Sequence, residues 1–156
     1  MLKSNSSVTS RPSFYYSNIQ KWKSFLDEPN VKTKSWMDLT EFIIRCVETD
    51  EIRNGTPWIW IIDMYEQSLL YRVFLDNLPN ITKYLMKRWE NTLIQVIIIR
   101  PSATTNTILK IIETVIPRDR LANLHRISGG LLEINNKLEK LGLSTEERMA
   151  IKEKLL

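Results

Sequence analysis

Few side chains in this sequence are of the types that carry out catalysis, and they are far apart along the chain. The single histidine, His125, and the single cysteine, Cys46, lie among apolar neighbours that predict a core strand and a core helix. A general base needs a proton within hydrogen-bond reach, and a reactive thiolate needs a basic neighbour that lowers its pKa. Neither residue has such a companion, so we expect a structural His125 and a buried Cys46 thiol.

Asp63 is the acid whose position is most informative. It comes directly after a run of apolar residues, 58–62, which predicts a buried strand. Ligands of α/β proteins collect beyond the carboxyl ends of strands, which would place Asp63 in a binding site. An acid at such a place also caps the turn that follows the strand. The sequence leaves both roles open.

Motifs that bind phosphate or metal are not found. The chain has four glycines and contains neither G-x-x-x-x-G-K nor G-x-G-x-x-G, so a backbone cradle for phosphate is not expected. It also lacks a G-x-S-x-G elbow and a Cys/His cluster with metal-ligand spacing. We therefore expect no enzymatic activity, no cofactor and no metal, and a function that consists of binding.

Composition predicts an ordinary globular protein. The chain has 156 residues, of which 43% are hydrophobic and 26% charged, with a net charge of +4. Its longest apolar run is shorter than the roughly 20 residues that span a bilayer. The basic residues are scattered and do not form an aromatic basic stripe, so nucleic acid is not an expected partner. We expect a cytoplasmic protein, and its mild excess of positive charge is compatible with peripheral association with anionic membranes.

The stretch 93–117 predicts the organising unit of the fold. Residues 94–99 form a β-branched apolar run that ends at Arg100-Pro101, which predicts a buried strand. A helix over 105–116, capped by Thr104 or Thr105, follows it. Residues 57–64 and 121–128 predict two further core strands. Pro79 is expected to open a helix between the strands at 57–64 and 94–99. Strands that alternate with helices indicate an α/β fold with a mixed, largely parallel sheet.

The two ends of the chain carry weaker signals. Residues 1–12 contain four serines and predict a flexible tail, which leaves 13–156 as a single domain. An aromatic strand is expected at 14–16, and a helix from Trp36 to about Thr49 carries Cys46 on its apolar stripe. The C-terminal residues predict two amphipathic helices, the second of which begins with a capping box from Ser144 to Glu147.

The segments PWIWIIDMYEQSLL, KRWENTL and IQVIIIRPSATTNTILKIIETVIPRDRLANLHRIS occur in this order over residues 57–128. Together they resemble the core of the CRAL-TRIO lipid-binding domain. That family has a strand ending in an acid, then a helix, an apolar strand, an Asn/Arg-Pro turn, an apolar helix and a final strand. The chain departs from the family in having Trp89-Glu90 where Tyr-Pro is common. It also has no recognisable N-terminal helical subdomain.

The resemblance implies an apolar cavity whose floor is the sheet and whose movable gate is the helix 105–116. Lipid-binding residues would then be those of the floor and of the gate, namely Trp58, Trp60, Ile62, Ile97, Ile99, Ile108, Ile111, Ile112 and Val115. Because strand side chains alternate between faces, only one parity of each strand can face the cavity. Arg118, Arg120 and Arg126 lie close to the gate and would contact anionic headgroups or a membrane surface.

Two functions are compatible with these patterns. The first is binding of a hydrophobic or amphipathic lipid, such as a phospholipid or phosphoinositide, for transfer or presentation. The second is a non-catalytic protein-interaction module of the same fold with a filled core. In that case the C-terminal helices would carry a partner or homodimer interface. The packing above the sheet distinguishes the two hypotheses.

Overall fold

The computed structural model describes residues 12–18, 36–64 and 72–156, apart from the side chains of residues 72–76, Thr104 and Ile108. The predicted tail, residues 1–12, therefore lies outside the described residues except for Pro12. The helices and strands in chain order are β1 (Ser13–Asn18), α1 (Trp36–Val47), α2 (Asp50–Arg53), β2 (Trp58–Asp63), α3 (Arg72–Arg88), β3 (Leu93–Ile99), α4 (Ala103–Glu113), α5 (Arg118–Leu121), β4 (Leu124–Ile127), α6 (Leu131–Lys140) and α7 (Thr145–Leu155).

The four strands form one parallel sheet in the order β1-β2-β3-β4. The predicted α/β fold with helices on a largely parallel sheet is confirmed, as is the aromatic strand at residues 14–16. Spatial order equals chain order, so each crossover moves the chain one strand further in the same direction. Right-handed crossovers of this kind place their helices on one face of the sheet. The other face must be covered by different elements.

The two central strands, β2 and β3, are apolar on both faces. Their sequences, WIWIID and LIQVIII, are rich in β-branched and aromatic residues that suit a pleated ladder. Trp58, Ile61, Ile97 and Ile99 are fully buried. Strands of this composition are stable only when side chains cover both sides of the sheet.

Helices α1, α2 and α3 cover one side of the sheet, which we call the crossover face. Trp58 and Trp60 of β2 point to this face and pack with buried residues of the three helices. Partly buried Tyr15, Ile62, Val96 and Ile112 pack against the same cluster. The buried helical residues are Leu39, Ile43, Val47, Ile52, Leu78, Ile81 and Leu85.

The opposite side, called the hairpin face, is covered by the C-terminal pair α6–α7. The strands contribute Ile59, Ile61, Ile97, Ile99 and Ile127, which pack with Ile134, Leu138, Leu143, Ile151 and Leu155 of the pair and its turn. The capping box predicted for α7 is confirmed. The Ser144 hydroxyl accepts from the Glu147 backbone at 3.2 Å, and the Glu147 carboxylate accepts from the Ser144 backbone at 2.8 Å.

The predicted bounds of two elements, and the predicted N-cap of one of them, are wrong. The strand expected over 121–128 begins only at Leu124, because Leu121 belongs to the short helix α5 that follows Pro117. The helix expected over 105–116 spans Ala103–Glu113. Its N-cap is Ser102, whose hydroxyl accepts from the Thr105 backbone at 3.1 Å. Thr105 itself is fully buried in the first turn.

Pro79 does not open a helix but lies inside the continuous helix α3. A proline in a helix interior removes one backbone hydrogen bond and costs about 3 kcal/mol or more. Leu78 and Ile81 flank it and are both buried in the crossover-face core. Tertiary packing therefore offsets the local cost of this proline, which the sequence predicts to start a helix.

Cys46 is exposed, whereas the sequence predicted a buried thiol. The buried stripe of α1 runs through Leu39, Ile43 and Val47, which follow one another every four residues. Cys46 lies at the margin of this stripe, on the solvent side. Periodicity gave the existence of the apolar stripe, but only packing against α3 and the sheet fixed where its centre lies.

A buried acid, Glu48, joins the end of α1 to the end of α3. Its carboxylate accepts from Arg88 Nε at 2.8 Å, Arg88 Nη2 at 3.0 Å and the Trp89 indole at 2.8 Å. The Glu48 side chain is only 7% exposed. The hydrogen bonds from Arg88 outweigh burial and hold the pKa of Glu48 below its ordinary value of 4.5.

We expect Glu48→Gln to lower the free energy of unfolding by about 1–3 kcal/mol at neutral pH, because Arg88 and Trp89 lose a buried, charged acceptor. A lowered pKa stabilises the fold above the ordinary value and loses this effect as the pH falls through the lowered pKa. The difference between wild type and variant should therefore shrink below pH 4.5. Urea unfolding at a series of pH values measures it. Glu41→Gln, at an exposed position of α1, is the matched control; an equal effect of both variants would contradict the prediction.

Candidate functional site

Asp63 is fully buried at the carboxyl end of β2. Its carboxylate accepts from Arg100 at both oxygens, with Nη2–Oδ2 at 2.7 Å and Nε–Oδ1 at 3.2 Å. The Tyr16 hydroxyl donates to Oδ2 at 2.5 Å. Tyr16 lies within β1, Asp63 ends β2 and Arg100 follows β3, so this polar cluster ties three strands together where α/β proteins commonly hold ligands.

Arg100 has an unusual backbone conformation and a second contact. Arg100 has φ of 56°, in the left-handed region that residues with a side chain seldom adopt. It lies between β3 and Pro101, where the chain turns into α4. Its guanidinium also donates from Nη1 to the carbonyl of Leu155 at 3.3 Å. Arg100 therefore connects Asp63 to the last turn of α7.

Tyr16 is held in its protonated, donating form. Burial is the main cause that raises the pKa of its phenol, and the hydrogen bond to the Asp63 carboxylate raises it further. Lys154 of α7 lies over the Tyr16 ring, 5.6 Å from its centroid. The carboxyl edge of β1–β3 is thus built from satisfied charges and is covered by the end of α7.

The residues predicted to form the lipid-cavity floor lie on two different faces of the sheet. Trp58, Trp60 and Ile62 pack on the crossover face, whereas Ile97 and Ile99 pack on the hairpin face. Because side chains alternate along a strand, these two groups do not line one surface. Each group is enclosed by its own layer of helices.

The space directly above the two floor tryptophans is occupied by a third. The Trp89 ring lies 5.1 Å from Trp58 and 5.5 Å from Trp60, edge-on to both. Tyr15 closes the other side of Trp58 at 5.6 Å. The indole of Trp60 donates to Ser17 at 2.9 Å, and that of Trp58 donates to Thr92 at 3.1 Å. The aromatic groups therefore fill the space above Trp58 and Trp60, mainly with edge-to-face packing, and the indole N–H groups are satisfied.

The apolar residues of the predicted gate helix, which is α4 in the structure, point in different directions. Leu109 is buried and Ile112 packs on the crossover-face core, whereas Ile111 is 53% exposed. Val115 lies in the turn after α4 and is half-buried. The side chain of Ile108 lies outside the described residues. Of the predicted gate residues with described side chains, Ile112 therefore faces the core and Ile111 faces solvent.

Two of the three arginines predicted to contact a membrane are bound within the protein. Arg120 donates to the backbone carbonyl of Glu90, and Arg126 forms an ion pair with Glu113 at the end of α4. Arg118, in α5, is exposed. The structure therefore does not bring the three guanidinium groups together on one open surface.

His125 contacts Gln95 near the amino ends of the strands, and a cleft lies beside this contact. His125 Nε2 lies 3.3 Å from the side-chain nitrogen of Gln95 on the neighbouring strand. An open cleft of about 600 Å³, called here the amino-edge cleft, lies beside Gln95. Its lining residues are Pro12, Ile59, Ile94, Gln95, Asn123, Leu141, Gly142, Leu143 and Glu147. An apolar slot of about 30 Å³, which shares Ile94, Gln95 and Asn123 with the cleft, lies next to it.

Sequence reasoning singled out Asp63 but not its partners, Tyr16 and Arg100, and it did not find the amino-edge cleft. A weak signal for the cluster was present, since an acid ends β2 and a base follows β3. The carboxyl ends of adjacent parallel strands lie at one edge, which brings such residues close together. No comparable signal existed for the cleft, because its walls come from residues 12 to 147.

Within the part of the chain that the structure describes, no group of three His, Cys, Asp or Glu side chains is placed to hold a metal ion. None of the described helices is both long enough and apolar enough to cross a bilayer. In the comparisons with known proteins, no family model, curated protein or solved structure matched this chain. The resemblance to the CRAL-TRIO domain therefore stays a prediction.

We expect Tyr16→Phe to lower the free energy of unfolding by about 1–2 kcal/mol, because Asp63 loses one of its donors in a buried site. A raised phenol pKa stabilises the fold below the ordinary value of 10.0 and ceases to do so as the pH rises through the folded value. The difference from wild type should therefore narrow above pH 10.0. Denaturant unfolding from neutral to alkaline pH provides the measurement.

Tyr15→Phe is the control for this experiment, because the Tyr15 hydroxyl bonds to Glu51 at 3.1 Å in an exposed position. Its loss should be smaller than that of Tyr16→Phe. Equal losses at neutral pH would show that the contact with Asp63 contributes nothing beyond an ordinary surface hydrogen bond.

Proposed function

We propose that this protein is a non-catalytic interaction module with a filled core, which acts through its outer surface. The observation that supports this proposal is the packing of the crossover face. There, the ring centroids of Trp58, Trp60 and Trp89 lie no more than 5.9 Å from one another. The three rings occupy the space that a lipid chain would need. The competing hypothesis, a lipid carrier, requires apolar space between the sheet and a movable helix.

The binding surface that we propose is the outer side of the α6–α7 hairpin. Ile134 of α6 and Ile151 of α7 face the sheet and are buried. Leu132 and Met149 each precede one of them by two residues, which on a helix turns the side chain to the opposite side. They are 73% and 60% exposed. We propose that a protein partner covers these two apolar side chains.

The charges on this hairpin support a protein partner of mixed polarity. Lys137 and Lys140 of α6 and Lys152 and Lys154 of α7 lie in the last turns of their helices. Glu139 and Glu146 supply opposite charge on the same pair of helices. Exposed apolar residues on helices that also carry charges of both signs resemble the composition of a transient protein interface.

A filled core predicts a large cost for emptying it. We expect Trp60→Ala to lower the free energy of unfolding of lipid-free protein by about 3–5 kcal/mol, because its neighbours cannot collapse into the space. Trp36→Ala, which truncates a half-buried tryptophan at the edge of the same cluster, should cost less. Chemical denaturation measures both values. A small loss for Trp60→Ala, together with phospholipid taken up from vesicles in native mass spectrometry, would favour the lipid carrier.

The interaction surface has its own test. We expect the double variant Leu132→Glu/Met149→Glu to keep the wild-type melting temperature, because both side chains are exposed. We also expect it to lose the self-association or the partner binding that wild type shows. Sedimentation velocity over a range of concentrations tests self-association, and quantitative cross-linking in cells tests binding of another protein. Ile111→Glu, which changes a 53%-exposed apolar side chain on α4, is the control and should behave as wild type. Identical sedimentation and cross-links for wild type and double variant would refute this surface.

A further inference from the structure

Strand β1 is the first strand in the sheet order, and among the described elements it pairs with β2 alone. The Ser13 N–H donates to the carbonyl of Pro57 at 3.3 Å, where the parallel pairing with β2 begins. Because backbone groups alternate in direction along a strand, the N–H and C=O groups of Phe14 and Tyr16 point away from β2. Within the described part of the chain, these four groups have no hydrogen-bond partner. We call this side of the strand the outer side of β1.

The strand at the other side of the sheet, β4, has features that discourage pairing with another chain. It is four residues long and contains His125 and Arg126, the second of which forms an ion pair with Glu113. In contrast, β1 has six residues, SFYYSN, all of them half-buried. Short length, charged side chains and proline are common means by which strands at the side of a sheet avoid such pairing. None of the three occurs within β1.

The groups on the outer side of β1 determine what can bind there. N–H and C=O groups at every second residue are matched by another extended strand. A second copy of β1 is suited to this place, because the strand has no charge and two copies that meet bring no like charges together.

A symmetric pair of β1 strands also brings aromatic side chains together. Residues directly opposite each other in an antiparallel pair lie on the same face, so the two-fold axis passes through Tyr15 or Tyr16. In the first arrangement Tyr15 lies opposite its own copy and Phe14 lies opposite Tyr16. In the second, Tyr16 lies opposite its own copy. Aromatic pairs of this kind stabilise antiparallel strands.

We propose that two copies of this protein associate through the outer side of β1, which joins their two four-stranded sheets into one. The strands run antiparallel, and the backbone groups of Phe14 and Tyr16 form the new ladder. A two-fold interface uses the same residues of both copies, so the assembly closes as a dimer. This dimer goes beyond the proposed function, because its interface lies outside the α6–α7 hairpin.

Amide hydrogen exchange, followed by NMR at low and at high concentration of the full-length protein, separates the two sides of β1. We expect the N–H groups of Phe14 and Tyr16 to exchange about ten-fold more slowly, or slower still, at the concentration where sedimentation velocity shows a dimer. The Tyr15 N–H points toward β2 and is the internal control, which should be protected at both concentrations. A monomer at every concentration, or a dimer in which Phe14 and Tyr16 exchange as fast as in the monomer, would overturn the proposal.

Two variants at one position test the ladder directly. Phe14→Ala and Phe14→Pro both remove the ring that packs against the hairpin-face core. Only proline also removes the N–H that points outward, and proline is tolerated in a strand at the side of a sheet when this nitrogen faces solvent. We expect Phe14→Pro to raise the dissociation constant of the dimer about ten-fold or more relative to Phe14→Ala. Equal dissociation constants would contradict the proposed ladder.

The dimer and the hairpin surface can fail independently. The Leu132→Glu/Met149→Glu variant leaves β1 unchanged and should dimerise as wild type does. Association through the hairpin is then observed as species larger than the dimer or as cross-links to another protein, and Phe14→Pro should retain these cross-links. Loss of the dimer in the Leu132→Glu/Met149→Glu variant would place the contact on the hairpin and overturn the β1 interface.

Discussion

The two central strands are apolar on both sides, and this constraint determines the arrangement of the other elements. A strand such as LIQVIII exposes isoleucine to both faces of the sheet, so each face needs its own cover. The crossover helices α1–α3 meet this need on one face. Because the chain order of the strands sends those helices to the same side, the C-terminal hairpin must cover the other. The hairpin is therefore part of the core.

Two buried carboxylates, Asp63 and Glu48, are subject to a second constraint. A carboxylate removed from water is tolerated when a cation and hydrogen-bond donors replace the solvent. Asp63 meets this condition with Arg100 and Tyr16, and Glu48 meets it with Arg88 and Trp89. Both clusters join elements that are distant in the sequence. They fix how the ends of the strands and helices meet, which apolar packing alone does not specify.

The two edges of the sheet consequently differ in what they offer to other molecules. At the carboxyl edge, Arg100 bonds to the last turn of α7, and Lys154 lies over Tyr16. At the amino edge, the α6–α7 turn leaves an open cleft next to the bulge in β3. The crossover face is filled by aromatic side chains. Binding at the outer side of the hairpin is compatible with all of this packing.

The sequence by itself determined the types and order of most elements. Runs of β-branched residues predicted β2 and β3, helical periodicity predicted α1 and α6, and Ser144 with Glu147 predicted the start of α7. These signals are local, because each depends on residues within one element. They also led to the correct α/β class, since strands that alternate with helices have few compact arrangements.

Only the tertiary structure decided which residues share a surface. It placed Trp60 and Ile97 on opposite faces, left Cys46 exposed at the margin of its stripe, and kept Pro79 inside a helix. It also paired Asp63 with Arg100, 37 residues away, and formed a cleft from residues near both ends of the domain. Each of these outcomes depends on contacts between elements. A pattern within one element does not contain them, because strand parity and helix rotation are fixed by the partner that each element packs against.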